Sequence, residues 1–349
     1  MFKKTDPNPQ LDIFTAPSMQ LGSRASKKYS DPNAWHNQFY SLVTTKIDEE
    51  IFKPLFPEGK KSGRPNASIR ILVAMSVLKE GFGCSDEDLF EKCEFDLLTR
   101  KALGMELLTD VTPSIDTYYL FRRRICEYQE RTGIDLMQLC FEQLAGKHVH
   151  LLKISGKCVR MDSKLIGSNI ARQSRYELIH TTLVKFLKTC TLTHLSPEQE
   201  ERAKEYLKED SSKTVYRSDS DTLQSNLARI GNFIMEMLAV FPATSPAHDL
   251  LLRLFEEQYV VMDGKAVLRD KKEVKADSLQ NPNDPDATYR AKNDQKVQGY
   301  VTNITETVEE GKPNIITSVQ VETAVFADCH FLQEAVENSE RVTDSTIED

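Results

Sequence analysis

Cysteine is sparse in this chain of 349 residues: seven in all, an odd count, with no Cys-x-x-Cys pair. Five of them (Cys84, Cys93, Cys126, Cys140 and Cys190) fall inside apolar helical patterns, the setting of reduced, buried thiols. Long apolar runs are missing too, and none approaches the roughly 20 residues a membrane helix needs. No apolar leader follows Met1, since Lys3, Lys4, Asp6 and Pro7 come instead. These absences lead us to expect a soluble, cytoplasmic protein with no membrane partner. No segment repeats at a fixed period. A basic excess is also lacking, because the net charge is −8. That total is unevenly spread: Glu306 to Asp349 holds eleven acids and two bases, a net of −9, which leaves the rest near +1. Nucleic-acid binding depends on where Lys and Arg cluster, so the total does not exclude it.

What is present divides the chain. Its length predicts two domains. Residues 1–33, rich in Pro, Ser, Lys and Asp without periodicity, read as a flexible arm. Phe39, Leu42, Val43, Ile47, Ile51 and Phe52 recur at helical spacing, predicting one helix from Asn33 to Phe56, closed by Pro54 and Pro57. A basic linker, Glu58 to Pro65, precedes a second helix with apolar positions Ile69, Ile71, Leu72, Met75, Leu78 and Phe82, stopped by Gly81 and Gly83. Ser85 is placed to cap the next, with Asp86, Glu87 and Asp88 in its first turn. Thr112-Pro113 opens a helix that Gly133 ends, and another follows to about His150. Residues 34–150 are therefore predicted to be an all-α domain. Beyond Ile154 the texture changes. Lys157 to Ser163 reads as a short strand ending in Asp162, helical periodicity returns over about 174–280, and Asn281 to Ala287 is a loop. Gly299–Val308 and Ile315–Ala324 read as strands joined by a hairpin, and a helix covers about Ala327 to Glu337. The fold class expected is α+β and multidomain.

Four features could carry chemistry. An aspartate projecting from a rigid strand tip suits a metal ligand, although in such a place it is more often a turn former. Arg122, Arg123 and Arg124 occupy consecutive helical positions about 100° apart, so no more than two share a direction. They suit phosphate contacts together with Lys60, Lys61 and Arg64; alternatively they form a solvated face paired with Glu127 and Glu130. Asp284-Pro-Asp286 lacks the spaced acids and final Glu of a calcium loop and reads as a connector, with Tyr289, Arg290 and Lys292 near enough to reach DNA. His148 and His150, near Cys158, have no fourth ligand at zinc spacing and read as ordinary surface.

Several segments taken in order resemble a known family. Gly63-Arg-Pro65, Ile71 to Gly81 and Ser85-Asp-Glu-Asp-Leu89 are similar to the N-terminal helical domain of InsH-like insertion-sequence transposases, as are Thr112-Pro-Ser-Ile-Asp-Thr117 and Phe121-Arg-Arg-Arg124. Met161-Asp-Ser-Lys164 resembles the segment of the family's first catalytic aspartate. Asp284-Pro-Asp-Ala-Thr-Tyr-Arg290 resembles a distinctive motif ahead of its second strand, and Gln298-Gly-Tyr300 and Ile304-Thr-Glu-Thr307 resemble the strand after that motif. The resemblance covers roughly residues 62–349 apart from the helical insertion. It implies a DDE transposase: a helical DNA-binding domain, then a ribonuclease-H-like α/β domain over 151–349 with a helical insertion at about 174–280. It further implies Asp162 as a catalytic carboxylate and metal ligand, two Mg²⁺ or Mn²⁺ ions, and DNA contacts from Arg122, Arg123, Arg124, Lys60, Lys61, Arg64 and Arg290. Two metal ions in such sites clamp the attacking and leaving oxygens of an in-line displacement. The implied partners are double-stranded DNA, both terminal inverted repeats and target, and further copies of the chain.

The chain departs from the pattern in one respect. The family's second aspartate lies on a strand after the first core helix, and no apolar strand with an internal aspartate follows Glu337. We therefore expect a sequence that stops before the second catalytic strand. The alternative to truncation is that the resemblance misleads about strand order. The alternatives to an active transposase are a truncated protein that binds DNA without cutting, and a helical interaction protein with no DNA role.

Overall fold

The computed structural model describes residues 2, 4, 17–56, 66–241, 245–292 and 295–348. It is a mixed helical and sheet structure with a helical N-terminal region. The chain falls into two compact units, Met1–Arg160 with Glu306–Ser318 and Glu337–Asp349, and Met161–Thr305 with Val319–Val336. No helix among the described residues is long and apolar enough to cross a membrane.

The first unit begins with two short helices, α1 (Pro17–Gln20) and α2 (Ser23–Tyr29), in the segment expected to be an arm. A buried aromatic anchors them: Tyr29 lies under the Lys101 ammonium, and its carbonyl accepts from His36 and Asn37. The helix expected from Asn33 to Phe56 is broken. α3 spans Trp35–Leu42, and two 3₁₀ segments, Thr44–Lys46 and Glu49–Leu55, take its place afterwards. Local polar groups impose the break. Thr44 gives its hydroxyl to the Ala102 carbonyl, and Asp48 caps the second segment at Glu50.

α4 (Ile69–Phe82) follows its apolar pattern closely, with Ser68 accepting from the Ile71 N–H at one end. Gly83, at φ 60°, stops it, while Gly81 lies inside the helix. α5 (Asp86–Phe95) starts in the reciprocal Ser85–Asp88 capping box, and α6 (Leu97–Leu103) ends at Gly104. α7 (Ile115–Thr132) is capped by Ser114, so Pro113 lies just outside the first turn rather than in it; Gly133 ends it as expected. α8 (Leu136–Leu152) completes the set. Their shared core runs from Ile47 and Phe52 through Leu72, Met75, Leu89 and Tyr118 to Leu136 and Cys140. All seven cysteines are free thiols, and burial pushes Cys93 up to about 12 and Cys140 up to about 11.

Strand β1 (Val159–Gly167) leads into the second unit, where five helices follow. These are α9 (Arg175–Leu187), α10 (Pro197–Lys208), α11 (Ser211–Arg217), α12 (Ser220–Val240) and α13 (Pro246–Gln258). They enclose an apolar core containing Ile179, Leu183, Phe233, Ile234, Met237, Leu251 and Leu254. A hairpin, β2 (Tyr259–Met262) with β3 (Lys265–Leu268), extends α13 through a turn at Asp263 and Gly264, both at positive φ. β4 (Thr288–Lys292) pairs antiparallel with β5 (Gln295–Thr307), Thr288 opposite Gly299. β6 (Ile316–Thr323) also pairs with β5, and the main sheet order is β1-β5-β4. The last helix, α14 (Leu332–Thr343), continues well beyond its expected end near Glu337.

Candidate functional site

Asp162 sits inside β1 rather than at its tip. Backbone bonds from Val308 N–H to the Cys158 carbonyl (2.9 Å) and from Ser168 N–H to the Gln298 carbonyl (2.8 Å) fix an antiparallel register with β5. That register puts Asp162 opposite Ile304. The strand outruns its expected end because Leu165 and Ile166 resume the extended pattern after the polar Ser163-Lys164 pair. Asp162 is exposed, shares its face of the strand with Lys164, and has no hydrogen-bond or ion-pair partner among the described residues. Its backbone is thus rigid and its carboxylate open to solvent.

The far end of this strand pair is locked by two devices. Gly299, at φ 154°, lets the backbones approach so closely that a Cβ there would lie 2.2 Å from the Ile166 carbonyl oxygen. Asp284, from the Asn-Pro-Asn-Asp-Pro-Asp loop, accepts a 2.5 Å bond from the Ser168 hydroxyl and another from the Tyr300 phenol. Loss of solvent, reinforced by that bond to Asp284, pushes the Tyr300 phenol up to about 12. The Asp284 segment is therefore a structural tie between β5 and the residue just past β1. Its turn chemistry was visible in sequence; its two partners were not.

A hard divalent cation takes six or more oxygen ligands. Among the described residues no group of three or more His, Cys, Asp or Glu side chains could hold a metal ion. Asp162 alone therefore does not make a metal centre, and no cleavage step follows from it alone.

The expected DNA contacts are scattered. Arg122 lies over the Tyr118 ring at 5.6 Å and reaches Asp86 at 4.0 Å, and Arg123 stands 3.6 Å from Glu127, one helical turn on. Arg124 turns to the other side of α7, with its guanidinium 5.8 Å from the Phe56 ring centre. Lys60, Lys61 and Arg64 lie outside the described residues. Arg290 on β4 donates to the carbonyls of Ala324 and Phe326 and pairs with Asp328 at 3.3 Å, so its guanidinium is engaged within its own unit. His148, expected at the surface, is half-buried and bonds the Leu42 carbonyl at 2.7 Å, while His150 is exposed. Arg131, which pattern reading passed over, stands two turns beyond Arg124 with its guanidinium over Tyr128 at 5.6 Å. Its i, i+7 spacing from Arg124 is the one signal that could have found it.

Comparison with known proteins adds one match. Residues 28–124 match the family model described as a transposase domain (DUF772), a segment that covers α3 to α6 and the first half of α7. No curated protein and no solved structure matches the chain significantly.

Proposed function

We propose, from the transposase domain that residues 28–124 form, that this chain is the transposase of an insertion sequence and works on the element's DNA ends. The domain match carries the reading and supports a transposase-type function for the chain. The helical first unit is the part that grips duplex DNA, through phosphates first and bases second. The β1–β5–β6 antiparallel array followed by α14 belongs to a ribonuclease-H-like catalytic domain, interrupted by the helices α9 to α13. Asp162 is the first of its carboxylates: a solvent-open acid on a rigid strand. Strand transfer on Mg²⁺ or Mn²⁺ would need further carboxylates beside it, and bringing two DNA ends together would need more than one copy of the chain.

A binding measurement tests this reading first. Full-length protein is titrated against a labelled duplex taken from the DNA flanking the gene, and against a scrambled duplex, at rising salt. Tighter binding to the flanking duplex, weakening steeply with salt, is the expected outcome. A chain that binds neither duplex at low salt would be an interaction protein, and the transposase reading would be lost.

A further inference from the structure

The arginines of α7 do not share one task. Arg122 and Arg123 are turned toward carboxylates, at Asp86 and Glu127. Arg124 and Arg131 have no carboxylate partner among the described residues; each instead lies against an aromatic ring, Phe56 for one and Tyr128 for the other. Positions 124, 128 and 131 follow the i, i+4, i+7 pattern, which places all three side chains on one stripe of the helix. Opposite that stripe stand Leu55 and Phe56, and the space between is an open cleft of about 320 Å³. Glu127 also lines it, with Arg123 standing 3.6 Å from its carboxylate. The cleft is therefore walled by two rings and two guanidinium groups whose N–H edges remain available.

That combination selects a particular ligand chemistry. A guanidinium stacked on a ring is oriented before any ligand arrives and presents a planar fork that matches phosphate oxygens. Seven residues at 1.5 Å each separate the two forks by about 10 Å along the helix, too far for a single phosphate. Tyr128, and Phe56 where the Phe2 ring also packs at 5.6 Å, present apolar ring edges to the sugar and base of a nucleotide. We propose that the cleft between Phe56 and the Arg124–Tyr128–Arg131 stripe is a phosphodiester-backbone grip that takes two phosphates of a DNA strand. This rests on the reading of the chain as a DNA-binding transposase. It narrows the contact from the whole arginine triplet to one of its members and adds Arg131.

The test uses the full chain and the labelled flanking duplex, followed by fluorescence anisotropy at several salt concentrations. Each phosphate contact contributes about 0.9 to the slope of log affinity against log salt. Arg131→Ala, at an exposed position, should lower that slope by about one, and Arg124→Ala with Arg131→Ala by about two. Arg122→Ala should leave it unchanged. Lysine at both 124 and 131 should restore the slope, which a purely structural role for the stacked guanidinium groups would not allow. Wild-type binding with an unaltered slope in Arg131→Ala and in the double variant sinks the cleft while leaving the transposase reading intact. An equal loss in Arg122→Ala also overturns the assignment. Absence of any salt-sensitive binding by the wild type overturns both.

Discussion

The helices of the first unit and the sheet of the second bury different chemistry. Around α4 to α8 the buried side chains are almost all apolar: Leu72, Val73, Met75, Leu78, Leu89, Leu103, Phe121 and Leu136. On β5 Val301, Thr302, Asn303 and Thr305 are buried, and on β6 Thr317, Ser318 and Gln320 are buried. There the side chains bond one another. Thr302 donates to the Gln320 carbonyl at 3.1 Å, Asn303 to the Gln320 side chain at 2.9 Å, and Gln320 to Glu334 at 3.1 Å. The helical core is held by area removed from water and tolerates exchange among apolar residues of similar volume. The sheet's buried face is held by a polar network that leaves Asn303 Oδ1 without a partner among the described residues but links its other members, so single losses leave further orphaned groups. One region is specified by periodicity, the other by matched pairs.

The largest effect should come from breaking the strand contact that has no slack. Gly299→Ala would force a Cβ onto the Ile166 carbonyl and the Ser168 amide, both backbone atoms, in a conformation L residues rarely adopt. We expect a loss of about 3 kcal/mol or more, read as a lowered urea midpoint, together with exchange of β1 and β5 amides at rates close to those of the unfolded chain. A variant as stable as the wild type would show that the close approach is not maintained in solution.

A pair of substitutions sharpens the comparison itself. Met75→Ala, in a fully buried position on α4, should cost about 2–5 kcal/mol through cavity formation. Gln320→Leu, which keeps volume but removes the hub of the sheet network, should cost about 1–3 kcal/mol. Met75→Leu, in contrast, should stay within about 1.5 kcal/mol of wild type. If Gln320→Leu proved stabilising, the buried polar face would not be holding the sheet, and the distinction between the two regions would collapse.

The contrast also explains what could be read in advance. α4 was legible because its apolar spacing and its Gly83 stop point the same way, although Gly81, also expected to stop it, lies inside the helix and the Ser68 cap was not anticipated. The β2–β3 hairpin was not, although Asp263-Gly264 is a strong turn signal; its first strand, Tyr-Val-Val-Met, is only four residues long and follows α13 directly, with no Gly or Pro to mark the change. The reach of β1 was hidden because Asp162, Ser163 and Lys164 interrupt its hydrophobic alternation with polar residues on both faces. Asp162 itself stood out only through the family resemblance of its neighbours. The cleft on α7 was half visible, since Arg124 was flagged as part of a triplet. Its division from Arg122 and Arg123, and its aromatic partner Phe56, depend on tertiary placement that no local spacing encodes.

The smallest effect expected is a pH dependence within α9 to α12. His180 is buried, bonded through Nε2 to the Tyr206 carbonyl at 3.1 Å, and 3.6 Å from Glu209, which accepts from Tyr176. Burial holds its imidazole below the ordinary value of 6.5, and Glu209 and the Tyr206 carbonyl only partly offset this. The unfolded chain therefore takes up the proton first, so this contribution is present at neutral pH and is lost as pH falls below about 6.5. Melting temperatures followed downward from neutral pH should fall more steeply for wild type than for His180→Gln. Parallel profiles would remove the histidine from the account.

We propose that this chain acts on DNA ends with Asp162 in the reacting centre. Strand cleavage and joining on a duplex carrying the element's terminal repeats, with Mg²⁺ or Mn²⁺ supplied to the full chain, tests it most directly. Metal-dependent products that Asp162→Ala abolishes, with DNA binding unchanged, are the predicted result. Cleavage that persists in Asp162→Ala would contradict it.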